Sequence, residues 1–400
     1  MPKKPLVAGA LACALAGGLA SAAVAAPAAD VSVRQPAWKQ EFSPEPFSAD
    51  VLAATYPSDS SYDYIPLLRG FTDLRENHPE ILELNLATTV EINSGADVEQ
   101  QERAIVDPYA DMSVSMADGL GETLGQIYLD ALAEDRLPKT EALISKTGQR
   151  LAGPSASTNP AKNFYDYDRP YVAHPELITY YDKEGGDAYG STGGACPSGH
   201  TSQAFWQGTA LATLLPELAP QILARTSEAG HNRVVMGVHY PLDVIGGRMM
   251  GQKIVERRWS DEEFHPLLEA ASEELHAVLE SDCGVPLTAC VARDEDYLDD
   301  GEAVDLYEDR MTYGFPQVEE PGREMSVPEG ADSLLIASHP NLTAEQRRQV
   351  LELTSIDSGY PLDLTDEGDD SWQRLNLAAA MAADVRSTPD GDVALIAADR

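Results

Sequence analysis

Apolar residues recur at helical spacing through most of the chain, and strand-like alternation is scarce. The stretch from Tyr64 to about Glu91 carries one such pattern. "MADGLGETLGQIYLDALAEDRLPKTEALISKTGQRL" reads as two helices broken near Leu137-Pro138, and the glycines of "GLGETLG" mark a helix start, since no strand precedes them. Asn159 to about Glu256 is again mainly helical. So are "TAEQRRQVLELT" and "SWQRLNLAAAMAADV", which flank a Gly-Tyr-Pro turn at 359–361. No internal repeat is visible. The expectation is an all-α chain.

The first residues read as an export signal: Lys3 and Lys4 precede a small-residue apolar run with Ala-x-Ala cleavage options near Ala22 or Ala25. Cys13 lies inside this run, and Ala10 stands where a lipoprotein signal wants a larger aliphatic. A periplasmic or secreted protein is therefore expected, with a lipid anchor as the alternative. No later stretch is long and apolar enough for a transmembrane span. The domain reading is a signal peptide over 1–25, an N-terminal helical segment over 26–150 packing on the core, a catalytic core over 151–258, and an acidic, partly helical extension over 259–400.

The formal net charge is −38, from 28 basic and 66 acidic residues, and loss of Lys3 and Lys4 makes it two units more negative. That excludes nucleic acid and anionic membrane as partners on electrostatic grounds. Against such a background a basic cluster stands out. Cys283 and Cys290 in "CGVPLTAC" are placed to close a small disulfide loop in an oxidising compartment, which leaves Cys196 as a buried free thiol. "DEDYLDDGEAVD" misses the EF-hand spacing and reads as a solvated acidic loop. No metal-ligand cluster is apparent, and no metal or cofactor is expected. Oligomeric state is not legible.

Three short motifs carry chemistry. In "NPAKNFYDYDRPY", Asn159 reads as a helix cap with Pro160 at the first position, and Lys162 and Arg169, seven apart, can share a side. In "GGACPSGH", Pro197 suits a first helical turn. The N–H groups around Ser198, Gly199 and His200 then form an anion cradle at a helix N-terminus, with the Ser198 hydroxyl as a further donor. In "HNRVVMGVHYPLDV", Pro241 again marks a first turn. His239 falls just before the helix and Asp243 within its first turn, where a carboxylate can fix the imidazole tautomer. Each motif alone fits a capped helix or a solvated face; together they supply three cations, a helix N-terminus and two histidines, which is what phosphoryl transfer requires.

Lys162-x6-Arg169-Pro170, Pro197-Ser198-Gly199-His200 and Arg233-x5-His239-x3-Asp243 resemble the three-part signature of the type 2 phosphatidic acid phosphatase and vanadium haloperoxidase superfamily. Within it the chain is most similar to bacterial class A non-specific acid phosphatases. Asn232 departs from the pattern, which usually has serine there. The resemblance implies a helical bundle with the motifs at one end of the central helices. It implies His239 as a nucleophile that becomes a phosphohistidine, Asp243 as its orienting partner, and His200 as the acid for the leaving group. Lys162, Arg169, Ser198, Gly199 and Arg233 would hold the phosphoryl oxygens of small phosphorylated substrates, without a metal. A histidine titrating near about 6.5 then favours acidic to neutral pH. The alternatives are a vanadate-dependent haloperoxidase, with vanadate bound through His239, and a lipid-phosphate or pyrophosphate phosphatase.

Overall fold

Prolines set where many of these helices begin. A first-turn proline lacks an N–H that would have no intrahelical partner anyway, and its ring presets a helical φ. The computed structural model describes residues 44–153, 156–186, 193–366 and 368–396; the export segment and Cys13 lie outside them. The longer helices are α1 (Gly70–Asn77), α2 (Pro79–Gly95), α3 (Val98–Tyr109), α4 (Gly121–Ala133), α5 (Pro138–Ile144) and α6 (Asn159–Tyr165). The central trio follows: α7 (Gly199–Leu214), α8 (Ala219–Val235) and α9 (Pro241–Trp259). Then come α10 (His265–Cys283), α11 (Asp300–Thr312), α12 (Ala344–Leu353) and α13 (Leu377–Ala382). The fold is all-α, apart from a small antiparallel hairpin of β1 (Val385–Ser387) and β2 (Val393–Leu395) with Arg386 opposite Ala394.

The central trio is buried all round. Every residue of α9 except Lys253 and Arg257 is buried, so this helix is the axis on which the others are hung. Its closest neighbour is α7. Gly247 and Gly251, one turn apart, make that approach possible. A Cβ on Gly247 would sit 2.7 Å from the Ser198 carbonyl oxygen, and one on Gly251 would sit 2.4 Å from Phe205 Cβ. The backbones of α7 and α9 therefore nearly touch, and the N-terminus of α7 is held against the first turn of α9.

The flanking segments are tied to this axis by buried arginines. Arg258 donates to the Leu151 carbonyl at 2.7 Å and to Ser58 Oγ at 2.6 Å, and pairs with Asp59 at 3.0 Å. On the other side Arg248 donates to the Gln373 carbonyl at 2.7 Å, which docks the C-terminal extension. The described residues form one compact unit. Cys283 and Cys290 are disulfide-bonded, with Cα atoms 6.3 Å apart, and Cys196 is a buried free thiol. The acidic "DEDYLDDGEAVD" differs from the loop expected: Asp299 caps α11 in a reciprocal pair with Glu302, so its second half is helix. Among the described residues no helix is long and apolar enough to cross a membrane.

Candidate active site

His239 lies two residues ahead of α9, and Asp243 occupies the third position of that helix. Asp243 Oδ2 accepts the Tyr240 N–H at 2.8 Å and lies 3.3 Å from His239 Nδ1. On the other side of the ring, Arg169 Nη1 stands 2.8 Å from His239 Nε2. A guanidinium has only donors, so Nε2 must be the acceptor of this contact. The ring is therefore the Nδ1–H tautomer, with its proton toward Asp243 and its Nε2 lone pair toward Arg169. Both His239 and Asp243 are fully buried.

The two cations of the first motif arrive differently from the expected shared helix face. Thr158, one residue ahead of Asn159, is the N-cap of α6, and α6 ends at Tyr165, with Asp166 left-handed at φ 43°. Arg169 sits beyond it in extended backbone, as the N-cap of the short turn Pro170–Ala173, because proline excludes helical geometry from the residue before it. The turn nonetheless brings the pair to one place. Lys162 Nζ donates to the carbonyls of Gly194 and Ala195 at 2.5 and 3.3 Å, and Arg169 Nε donates to that of Gly193 at 3.3 Å. Both side chains thus clasp the glycine stretch before α7.

At the head of α7, Ser198 is the N-cap, which places Pro197 just outside the helix and not in its first turn. Ser198 Oγ accepts from the Thr201 N–H and hydroxyl at 3.3 and 2.8 Å, which leaves its own proton to donate. The Ser198 N–H, expected in the anion cradle, is instead given to the Asp243 carbonyl at 2.9 Å. The cradle therefore centres on the Gly199 amide. A Cβ at Gly199 would meet Thr158 Oγ1 at 3.1 Å and Lys162 Cε at 3.9 Å, so glycine keeps lysine and helix end adjacent. His200, half-buried, is the second residue of α7.

Arg233, in the last turn of α8, is fully buried and donates to the Ala229 and Ala104 carbonyls at 3.1 and 2.7 Å. Beside it lies a residue that sequence reading missed. Asp107 on α3, fully buried, pairs with Arg225 at 2.6 Å, accepts from Asn232 Nδ2 at 3.2 Å and stands 3.7 Å from Arg233 Nη2. Asn232, the departure from the motif, is thus a supporting contact within this group. His231, adjacent in sequence, faces the other way and stacks on Tyr313 with ring centroids 5.9 Å apart.

The electrostatics follow from burying this many cations together. Burial first, then Arg233 and Arg169, pull His200 down to about 3, and burial with Arg169 and Lys162 holds His239 well below the ordinary imidazole value. Burial and the neighbouring Arg169 lower Lys162 to about 8. Burial lifts Asp243 to about 7, against the Tyr240 N–H and the cations that favour its charge. The site is thus short of negative charge. An anion placed among these groups would reverse several of the shifts at once.

A cavity of about 240 Å³ opens on this cluster, lined by Lys162, Arg169, Gly193 and Gly194, with Asp166 and Asp168 also in its wall. A larger one, about 810 Å³, lies against Arg225 and Arg310, and the lining of neither cavity includes His200 or His239. The smaller is the one walled by two motif cations, Lys162 and Arg169, and by the glycines they clasp, which assigns the site to it.

Comparison with known proteins agrees with this geometry. A family model described as the PAP2 superfamily matches residues 149–255, which contain all eight motif residues. The chain is 35% identical over 116 residues to an acid phosphatase of Zymomonas mobilis subsp. mobilis, covering 29% of this chain and 42% of that protein. It is 29% identical over 178 residues to a non-specific acid phosphatase of Providencia stuartii, covering 44% and 68% respectively. A non-specific acid phosphatase of Salmonella typhi is 30% identical over 126 residues, 30% of this chain and 47% of the relative. The matches thus span between about two-fifths and two-thirds of the length of these relatives.

Proposed function

We propose that this chain, whose residues 149–255 form a PAP2 superfamily domain, is a periplasmic or secreted phosphatase that hydrolyses small phosphomonoesters through a phosphohistidine at His239. The observation that carries the proposal is the environment of the His239 ring: Nδ1 faces Asp243 at 3.3 Å, while Nε2 presents its lone pair to Arg169 at 2.8 Å. Arg169 marks where a phosphoryl oxygen would sit, directly in front of the nucleophile.

In the first half-reaction, the Nε2 lone pair attacks phosphorus as the P–O ester bond breaks in line. His200 gives its proton to the departing oxygen. Lys162, Arg169, Arg233, the Ser198 hydroxyl and the Gly199 amide hold the non-bridging oxygens, where charge-assisted hydrogen bonds are worth about 1.5–3 kcal/mol each. Asp243 stabilises the charge that develops on His239. In the second half, His200 takes a proton from water, the oxygen attacks phosphorus, and the P–N bond breaks to return the electron pair to Nε2. The charge neutralisation comes from protein cations, so the chemistry calls for no metal.

His200, drawn down to about 3 without an anion, needs the substrate to supply its proton. A phosphate monoanion and a neutral histidine hold the same number of protons as a dianion and an imidazolium, so the monoanion is the productive form. That favours acidic pH. Asp166 and Asp168 in the wall of the cavity beside Lys162 and Arg169 disfavour polyanions. The test is hydrolysis of p-nitrophenyl phosphate, run beside bromide oxidation with vanadate and peroxide. The proposal expects the first and not the second, and expects His239→Ala to abolish it.

A further inference from the structure

On the side of α1 turned to the C-terminal extension, α1, the corner between α1 and α2, and the segment after α11 bring together three side chains that the sequence does not associate. Ligand atoms of Asp73, His78 and Glu319 lie within 4.8 Å of one another. His78 Nε2 stands 3.7 Å from Asp73 Oδ2. That is too long for a hydrogen bond and close to the roughly 3.3 Å between neighbouring ligands on a tetrahedron with bonds of about 2.0 Å.

The orientation of the imidazole is set from behind. His78 Nδ1 faces Glu80 Oε1 at 3.2 Å, so Nδ1–H donates to Glu80 and Nε2 is the ring atom turned toward the two carboxylates. This is the carboxylate–histidine arrangement that orients metal-binding imidazoles and raises their basicity. Asp73 Oδ1 is occupied by Asn77 Nδ2 at 2.6 Å, which leaves Oδ2 for the site. The walls are placed by backbone. The N–H groups of Val318 and Glu319 donate to the Gly359 carbonyl at 2.7 and 3.2 Å, and Gly359 is left-handed at φ 86°, where a Cβ would strike the Glu319 carbonyl oxygen at 2.5 Å. A Cβ on Gly70, at the start of α1, would come within 3.0 Å of Leu362 Cα. Side-chain attraction is thus not what brings the ligands together.

We propose that Asp73, His78 and Glu319 bind one zinc ion, with solvent completing the shell, and that the ion clips the N-terminal helices to the C-terminal extension. One imidazole nitrogen and two carboxylates suit zinc, whereas calcium and magnesium take all-oxygen shells of higher number. The formal charge of −38 concentrates cations at the surface. The role is structural and uses none of the residues of the proposed phosphatase chemistry.

The test is isothermal titration of the untagged, EDTA-treated full chain with zinc chloride, with thermal unfolding followed by circular dichroism. The proposal expects one tight site, a thermal midpoint that rises by several degrees with zinc, and no such rise with calcium. Glu80→Gln should weaken binding about 10–100-fold. His78→Ala and Glu319→Gln should each remove the tight site, while Glu83→Gln, an exposed change on α2, should leave it intact. If His78→Ala does not fold, Glu319→Gln carries the test. Absence of a tight site in the wild type, or its survival in Glu319→Gln, overturns the proposal.

Discussion

Asp107 offers a test of how Arg233 is held. Asp107→Asn keeps the shape of the side chain and removes its charge. At an effective dielectric of about 20, a unit charge 3.7 Å from Arg233 contributes roughly 4 kcal/mol of attraction before desolvation is counted. Removing one partner of a buried ion pair costs about 3–5 kcal/mol, because the remaining charge stays buried. The lower end applies here, since Arg225 keeps Asp118 at 3.4 Å and Glu228 at 3.6 Å. Two effects on catalysis oppose each other. Loss of a nearby negative charge makes the cradle more positive and should tighten phosphate binding, whereas loss of the Arg233 anchor should loosen it. Positioning should win, because a misdirected guanidinium forfeits a charge-assisted hydrogen bond worth about 1.5–3 kcal/mol, or roughly 10- to 150-fold in kcat/KM. The assays are urea unfolding and p-nitrophenyl phosphate kinetics well below the melting transition. A destabilised Asp107→Asn protein with wild-type or improved kcat/KM would refute the positioning argument.

Three further outcomes are expected. With phosphoserine as substrate, kcat/KM should fall above about pH 6, where the phosphate loses its second proton; a profile flat to about pH 9 would contradict the monoanion argument. Stability should fall as pH drops below about 6.5, since His200 at about 3 and His231 at about 4 stay neutral in the folded state while the unfolded chain takes up protons. His239 acts in the same direction, and Asp243, held at about 7, gains stability on acidification and offsets one of the three; urea midpoints at pH 7 and 5 measure the balance, and inorganic phosphate should flatten it. Gly251→Ala should cost about 1–3 kcal/mol or more by forcing α7 from α9, with activity falling alongside thermal stability, because Ser198 and Gly199 ride on α7.

The positions of His239 and Asp243 relative to their helix were legible because local rules fix them: a proline sets the helix start, and the residue just outside or just inside it inherits a defined direction, whereas the grouping of the eight residues into one site was read from the resemblance. His239 and Asp243 fell as their spacing from Pro241 requires. The same rules misplaced Pro197 by one turn position and put Lys162 and Arg169 on one helix, where the chain in fact breaks at Asp166. What local rules cannot see is partnership across the bundle. Asp107 looks like one more acid in an acidic chain until α3 sets it between Arg225 and Arg233. The purpose of Gly247 and Gly251 appears only once α7 lies against them. Glu319 reaches Asp73 and His78 from a segment packed on Gly359, a meeting of distant parts of the chain that no local pattern shows.

Everything proposed for this site turns on a covalent bond between His239 Nε2 and phosphorus. Rapid acid-free quenching during turnover of radiolabelled phosphomonoester, followed by peptide mapping, tests it directly. The expected result is an acid-labile, alkali-stable label on the peptide carrying His239, absent in His239→Ala, that builds up in a His200 variant able to accept but not release the phosphoryl group. Full turnover with no label on that peptide, or activity retained by His239→Ala, would contradict it.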